Sequence, residues 1–233
     1  MDFLKQIGFN NILLLIVSLL NFVMMLIIII KKGWKNKMYL YFSLLTFANF
    51  LWGLSIFLAL VIFQVDIAEF WYRTCYLAAL IIAVALVYFI VHFPYKSKKI
   101  SITYNIFIIA PLVIIGFLVY TNFHITDFIK LDNEQDFMAH YFKPFYLVYS
   151  GYFLLIVVSA IHSLYRKFLS SEGVIRYQIL ILFITLLAGL IFGAYFDLFL
   201  IYFQDFTYVW LGPIFTLPMN LAVFYLIFFD KKQ

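Results

Sequence analysis

The stretch Phe70–Pro94 reads FWYRTCYLAALIIAVALVYFIVHFP, and from Thr74 to Val91 no charged residue interrupts it. About 20 mostly apolar residues are what a helix needs to cross about 30 Å of hydrocarbon. Six more such stretches lie to either side and fill almost the whole 233-residue chain. The seven spans read as Phe9–Ile30, Met38–Gln64, Phe70–Phe93, Ile102–Tyr120, Pro144–Tyr165, Tyr177–Phe203 and Thr207–Phe229. Strands of a membrane barrel alternate polar and apolar residues, and these runs do not, so the spans are helices. The expected fold is an all-α, seven-transmembrane helix bundle, a single domain over residues 1–233.

Composition agrees: 67% of residues are hydrophobic and only 12% charged, far from a soluble domain. The net charge of +5 does not point to nucleic acid, because of where the charges fall. Most basic residues lie in four patches, Lys31/Lys32/Lys35/Lys37, Lys96/Lys98/Lys99, Arg166/Lys167/Arg176 and Lys231/Lys232, which follow spans one, three, five and seven. The other side carries Asp2, Asp66, Glu69, Asp127, Asp132, Glu134, Asp136 and Asp205 against Lys5, Lys130, Lys143 and Arg73. Basic loops stay in the cytoplasm, so the N-terminus is expected outside and the C-terminus inside a plasma membrane. Heavy use of Ile, Phe, Lys and Asn suggests a bacterial inner membrane. The N-terminus has no cleavage-site pattern before Lys31, so the first span is expected to stay.

Loops are short. Lys31–Lys37 is a basic turn with Gly33 and Asn36 as breakers, and Val65–Glu69 and Gln204–Phe206 read as outer turns. Arg166–Arg176 contains a helix boundary. Thr121–Lys143 is the longest polar segment and the candidate lid or plug over the outer mouth. Its His124 and His140 among carboxylates match no metal-loop spacing. Lone Cys75 excludes an internal disulfide and a thiolate cage. No metal or cofactor is expected. His92 and His162 sit at span ends beside headgroups, and no lysine between Thr207 and Phe229 can form a retinal Schiff base.

Polar groups retained in lipid carry most of the information. Asp197 lies in span six, about 9 Å below the outer boundary at 1.5 Å per residue. Arg73, at similar depth in span three, is its expected partner; the alternative is that Arg73 snorkels to headgroups alone. Gly189, Gly193 and Asp197 recur four apart and point that stripe into a helix contact, with a homodimer face as the other reading. Asn21, Asn49, Trp52, Thr216 and Asn220 are further mid-span positions. Gly212, Thr216 and Asn220 share a face of span seven, which Pro213 and Pro218 allow to kink. Interhelical hydrogen bonds or a solute cavity near spans two, six and seven would use them. The many tyrosines and phenylalanines at span ends read as interface belts. No catalytic constellation is present.

Several local patterns resemble the N-terminal seven-helix region of bacterial sensor histidine kinases. They are Leu51-Trp52, Phe70-Trp71-Tyr72-Arg73, His92-Phe93-Pro94, Arg176-Tyr177-Gln178, the span-six glycines with Asp197, Leu211-Gly212-Pro213, and Ala222–Ile227 leading into Phe228-Phe229-Asp230. The resemblance implies a non-catalytic sensory input feeding a cytoplasmic output. Such proteins continue past the position of Gln233, so the output is expected to be cut off, lost or supplied by a cytoplasmic or membrane partner. Arg73, Asp197, Asn49, Trp52, Thr216 and Asn220 are the candidate ligand or switch residues. Gly189, Gly193, Gly212, Pro213 and Pro218 are the candidate packing positions. A solute or lipid transporter, and a structural subunit of a membrane complex, are the alternatives.

Overall fold

A computed structural model of the protein describes residues 8–94, 100–130 and 137–228. Asp2, Lys5, Lys96, Lys98, Lys99, Asp132, Glu134, Asp136 and the tail 229–233 lie outside these residues, with the expectations placed on them. Seven described helices are long and apolar enough to cross a membrane: α1 (Phe9–Lys32), α2 (Lys37–Val61), α3 (Val65–His92), α4 (Ile102–Val119), α5 (Lys143–Leu169), α6 (Gly173–Tyr202) and α7 (Leu211–Phe228). Between α4 and α5 the chain forms an antiparallel hairpin, β1 (Ile125–Lys130) and β2 (Phe137–Tyr141).

Local chemistry sets the helix ends. Gly33 closes α1 at φ +71°, a conformation side chains disfavour, behind Lys31 and Lys32 in the last turn. The Asn36 side chain caps α2 by accepting from the Met38 N–H at 2.9 Å. Three boundaries correct the sequence reading. Residues 65–69 are helix, not turn: α3 begins at Val65, and Asp66 in its first turn complements the positive helix end. The α5–α6 connection shrinks to residues 170–172. The last helix starts at Leu211, because Asp205 accepts from the Thr207 N–H at 3.0 Å and fixes a turn there.

α6 is not uniform. Tyr195–Phe199 form a π-helical turn, in which the Leu200 N–H reaches back to the Tyr195 carbonyl. Such turns carry one extra residue and often mark functional positions.

The helices follow one another around a ring that α7 closes against α1, and α3 runs inside it against α2, α4 and α5. In its most apolar window α3 is 78% buried, against 22% for α4, which identifies α3 as the central helix and α4 as peripheral. α6 pairs with α7 and touches α5. Several mid-span hydroxyls are satisfied within their own helices: Ser18 donates to the Leu14 carbonyl at 2.8 Å, and Thr46 to that of Phe42 at 3.1 Å, whereas Ser55 is buried with no partner for its hydroxyl. Gly53 makes the α1–α2 contact possible, since a Cβ there would fall 2.2 Å from Ser18 Oγ.

The hairpin and the α2–α3 and α6–α7 turns share one end of the bundle; the basic turn after α1 and the last turn of α5 share the other. At this basic end the Lys167 ammonium donates to the carbonyls of Ile90 (2.6 Å), Val91 (3.0 Å) and Phe93 (2.5 Å), fastening α5 to the C-terminus of α3.

Candidate functional site

Arg73 does not pair with Asp197. Its Nε and one terminal nitrogen donate to Glu69 Oε1 at 2.8 and 2.5 Å. The guanidinium also donates to the carbonyls of Val119 (2.8 Å), Thr121 (2.7 Å) and Ile125 (3.0 Å). The physical reason is local. The C-terminal end of α4 leaves carbonyls unpaired and carries partial negative charge, and Glu69 sits one turn away on the same helix. Arg73 therefore ties the hairpin strand and the end of α4 to α3.

The hairpin seals the bundle mouth with aromatic side chains. The hydroxyls of Tyr72, Tyr76 and Tyr141 form a closed triangle, with Tyr72–Tyr76 at 3.0 Å and both contacts to Tyr141 at 2.5 Å. Each hydroxyl can donate once and accept once, so the ring satisfies itself. Tyr149 donates to the Tyr76 carbonyl at 3.0 Å and Tyr146 to the Leu198 carbonyl at 3.0 Å, inside the π-turn. His124 is fully enclosed beside them. Its ring lies 4.4 Å from that of Tyr76 and 5.4 Å from that of Tyr141, and neither nitrogen has a hydrogen-bond partner. Burial, helped by the positive Arg73, lowers its pKa from 6.5 to about 3, so the imidazole is neutral at ordinary pH. Burial also raises the Tyr141 phenol well above its usual range.

Beneath this seal α6 stands away from α3 and leaves a chamber. Its upper part spans about 440 Å³ that is partly open to the outside, and its lining includes Tyr72, Tyr76 and Asp197. A lower part of about 540 Å³ continues past Leu186 and Thr216. Both parts share Trp52, Ala79, Phe153, Gly193 and Ala194 in their walls, so they adjoin one another along α6. Asp197, on the π-turn, is part of the wall of the upper part. Both carboxyl oxygens are shielded, and neither has a hydrogen-bond partner. The carboxyl lies against the first turn of α7, where a Cβ added to Gly212 would sit 1.5 Å from Oδ2.

The other expected site residues divide between this chamber and the packing around it. Trp52 lines both parts and Thr216 the lower one, its hydroxyl donating to the Pro213 carbonyl at 2.8 Å. Asn220 instead turns to α1 and donates to Asn21 Oδ1 at 2.7 Å, while Asn49 donates back to the Leu45 carbonyl at 2.9 Å. Each of these two keeps a side-chain oxygen without a donor. Gly189 meets the α7 backbone, with its Cβ position 3.1 Å from the Phe215 carbonyl oxygen; a Cβ on Gly193 meets nothing within 4 Å. Gly193 is thus a wall of the chamber rather than a packing contact. Pro213 is buried in the first turn of α7, and Pro218 lies inside that helix.

His124 and His140 do not converge: the first is enclosed, and the second faces Gln204 at 3.4 Å. Among the described residues no group of three His, Cys, Asp or Glu side chains could hold a metal. The tyrosine seal escaped the sequence reading, which assigned such residues to membrane interfaces. The one available signal was helical spacing: Tyr72 with Tyr76, and the near-adjacent Tyr146 with Tyr149, fall on single helix faces.

The model of one family, described as the N-terminal 7TM region of histidine kinase, matches residues 13–231. No curated protein and no solved structure matches the chain.

Proposed function

Because the chain belongs to the family of N-terminal seven-transmembrane regions of histidine kinases, we propose that it detects a stimulus at its hairpin end and passes it to an output at its basic end. The family is one of membrane sensory input modules, and with seven apolar helices this is a multi-pass plasma membrane protein. In this reading the hairpin faces outside and the basic end lies in the cytoplasm, an orientation that the charge bias supports. The module itself is non-catalytic in this reading, and a cytoplasmic or membrane partner carries the output.

One observation carries the proposal: the unpartnered Asp197 carboxyl, held in a chamber against the first turn of α7. A buried carboxyl without donors is costly. Its π-turn and the α7 start that it touches are thereby held in an arrangement that a bound partner would rebalance. α7 then runs to the basic end, with Pro218 as a point of bending.

The test joins a histidine kinase catalytic core in helical phase behind α7 and measures autophosphorylation in liposomes. Asp197→Asn and Gly212→Ala should each change the rate by about 5-fold or more. Unchanged rates in both variants overturn the sensory reading. Solute flux through the same liposomes would put the transporter reading in its place.

A further inference from the structure

The chamber selects for a particular chemistry. At its top are two shielded acceptor oxygens on Asp197 with no donor, and its lining contains no Lys, Arg or His. The one cationic side chain expected to serve it, Arg73, is engaged by Glu69 and three carbonyls of the mouth. The wall that Asp197 belongs to is rich in aromatic side chains, Trp52, Tyr76, Tyr149 and Phe153. Further down, the walls are aliphatic, with Leu86, Val157, Leu186 and Met219. The stretch of α6 from Leu186 to Asp197 that lines this space is about 16 Å long at 1.5 Å per residue. A built acceptor at one end of a long apolar slot calls for a ligand with a donor at one end of a long apolar body.

We propose that the chamber binds a single-chain amphiphile with a protonated amine head, the ammonium on Asp197 and the tail running toward Thr216 and Met219. An ammonium brings three donors to two orphaned oxygens and cancels the carboxylate charge. Aromatic faces favour a cation further. An alcohol of the same length supplies one donor and no charge. A fatty acid sets a second carboxyl against the first, which disfavours both as anions. A phospholipid head would bring a phosphate to a place lined by no basic side chain. The ligand class rests on the reading of the chamber as the sensory site, but its test is a binding measurement and not a signalling one.

The protein is placed in nanodiscs of zwitterionic lipid, and thermal unfolding is followed with decylamine, decanol or decanoic acid at equal membrane concentration. Decylamine should raise Tm by roughly 5 °C at saturation, and the other two should not. Asp197→Asn should lose the amine shift. So should Gly193→Leu, whose side chain grows into open chamber space. Equal shifts from all three amphiphiles, or an amine shift kept by both variants, overturn the proposal. Should Asp197→Asn fail to fold, a photoreactive alkylamine decides on the native chain: crosslinks in the chamber walls support the site, and crosslinks confined to lipid-facing residues overturn it. Amine-selective binding with no effect on the fused kinase keeps the ligand class and removes the sensory reading. Kinase rates that respond to Asp197→Asn without amine selectivity do the reverse.

Discussion

The Asp197 carboxyl occupies the space that a side chain at Gly212 would need, with a Cβ built there lying 1.5 Å from Oδ2. Two helices, α6 and α7, are therefore fitted to each other at a polar group rather than at an apolar one. Gly212→Ala must push the carboxyl, the π-turn or the α7 start aside, and overpacking of this kind costs about 1–3 kcal/mol. Gly193→Ala, one turn before Asp197 with nothing within 4 Å of its Cβ, should stay within about 0.5 kcal/mol of native. Unfolding in detergent checks both, and equal effects would show that the clash is relieved freely.

Arg73→Ala removes four partners at once and should free the hairpin. Charged hydrogen bonds contribute about 1.5–3 kcal/mol each to stability when buried, so the loss should register as cleavage by added protease within residues 119–143. Asp197→Ala should not expose that segment. A double-mutant cycle between Arg73 and Asp197 should give coupling near zero, and substantial coupling would restore the pair expected from sequence.

His124 makes the seal sensitive to acid. The unfolded imidazole takes a proton below about 6.5 and the folded one only below about 3. Between these values the unfolded state binds more protons, so stability is full above the upper value and falls as the pH drops through the window. The slope is about 1.4 kcal/mol per pH unit. His124→Phe should flatten it in acid unfolding curves. An unchanged slope would place the responsible group elsewhere.

Lys167→Met keeps the apolar stem and removes the ammonium from three carbonyls of α3. Amide exchange should rise selectively in the last turns of α3, with the hairpin end unaffected. Uniform exchange would mean that the α3–α5 fastening is not local.

The bundle was legible because lipid leaves few choices: an uncharged run such as Thr74–Val91 has one stable form. Asp197 was legible for a related reason, since a carboxylate inside a span is expensive and stands out. Its partner was not. Matching depths of Arg73 and Asp197 say nothing of azimuth, and the competing carbonyls of Val119, Thr121 and Ile125 lie about 50 residues along the chain, on elements whose packing against α3 hydropathy does not reveal. The tyrosine triangle joins residues 72, 76 and 141 across that same hairpin, which hydropathy reads as mere polar loop. Asn220 and Thr216 looked equivalent by spacing, yet α1 captures the first while the chamber takes the second.

The π-turn at Tyr195–Phe199 has a consequence for comparing this chain with any relative. One surplus residue rotates everything beyond it by about 100° relative to a straight helix of 3.6 residues per turn. Pairing Leu200–Tyr202 position by position with an unbroken helix would set each side chain on the wrong azimuth. A one-residue gap inside the bulge restores the correspondence, and deleting one residue there should turn the bulge into plain α-helix while keeping Ile201 on the interior it now fills.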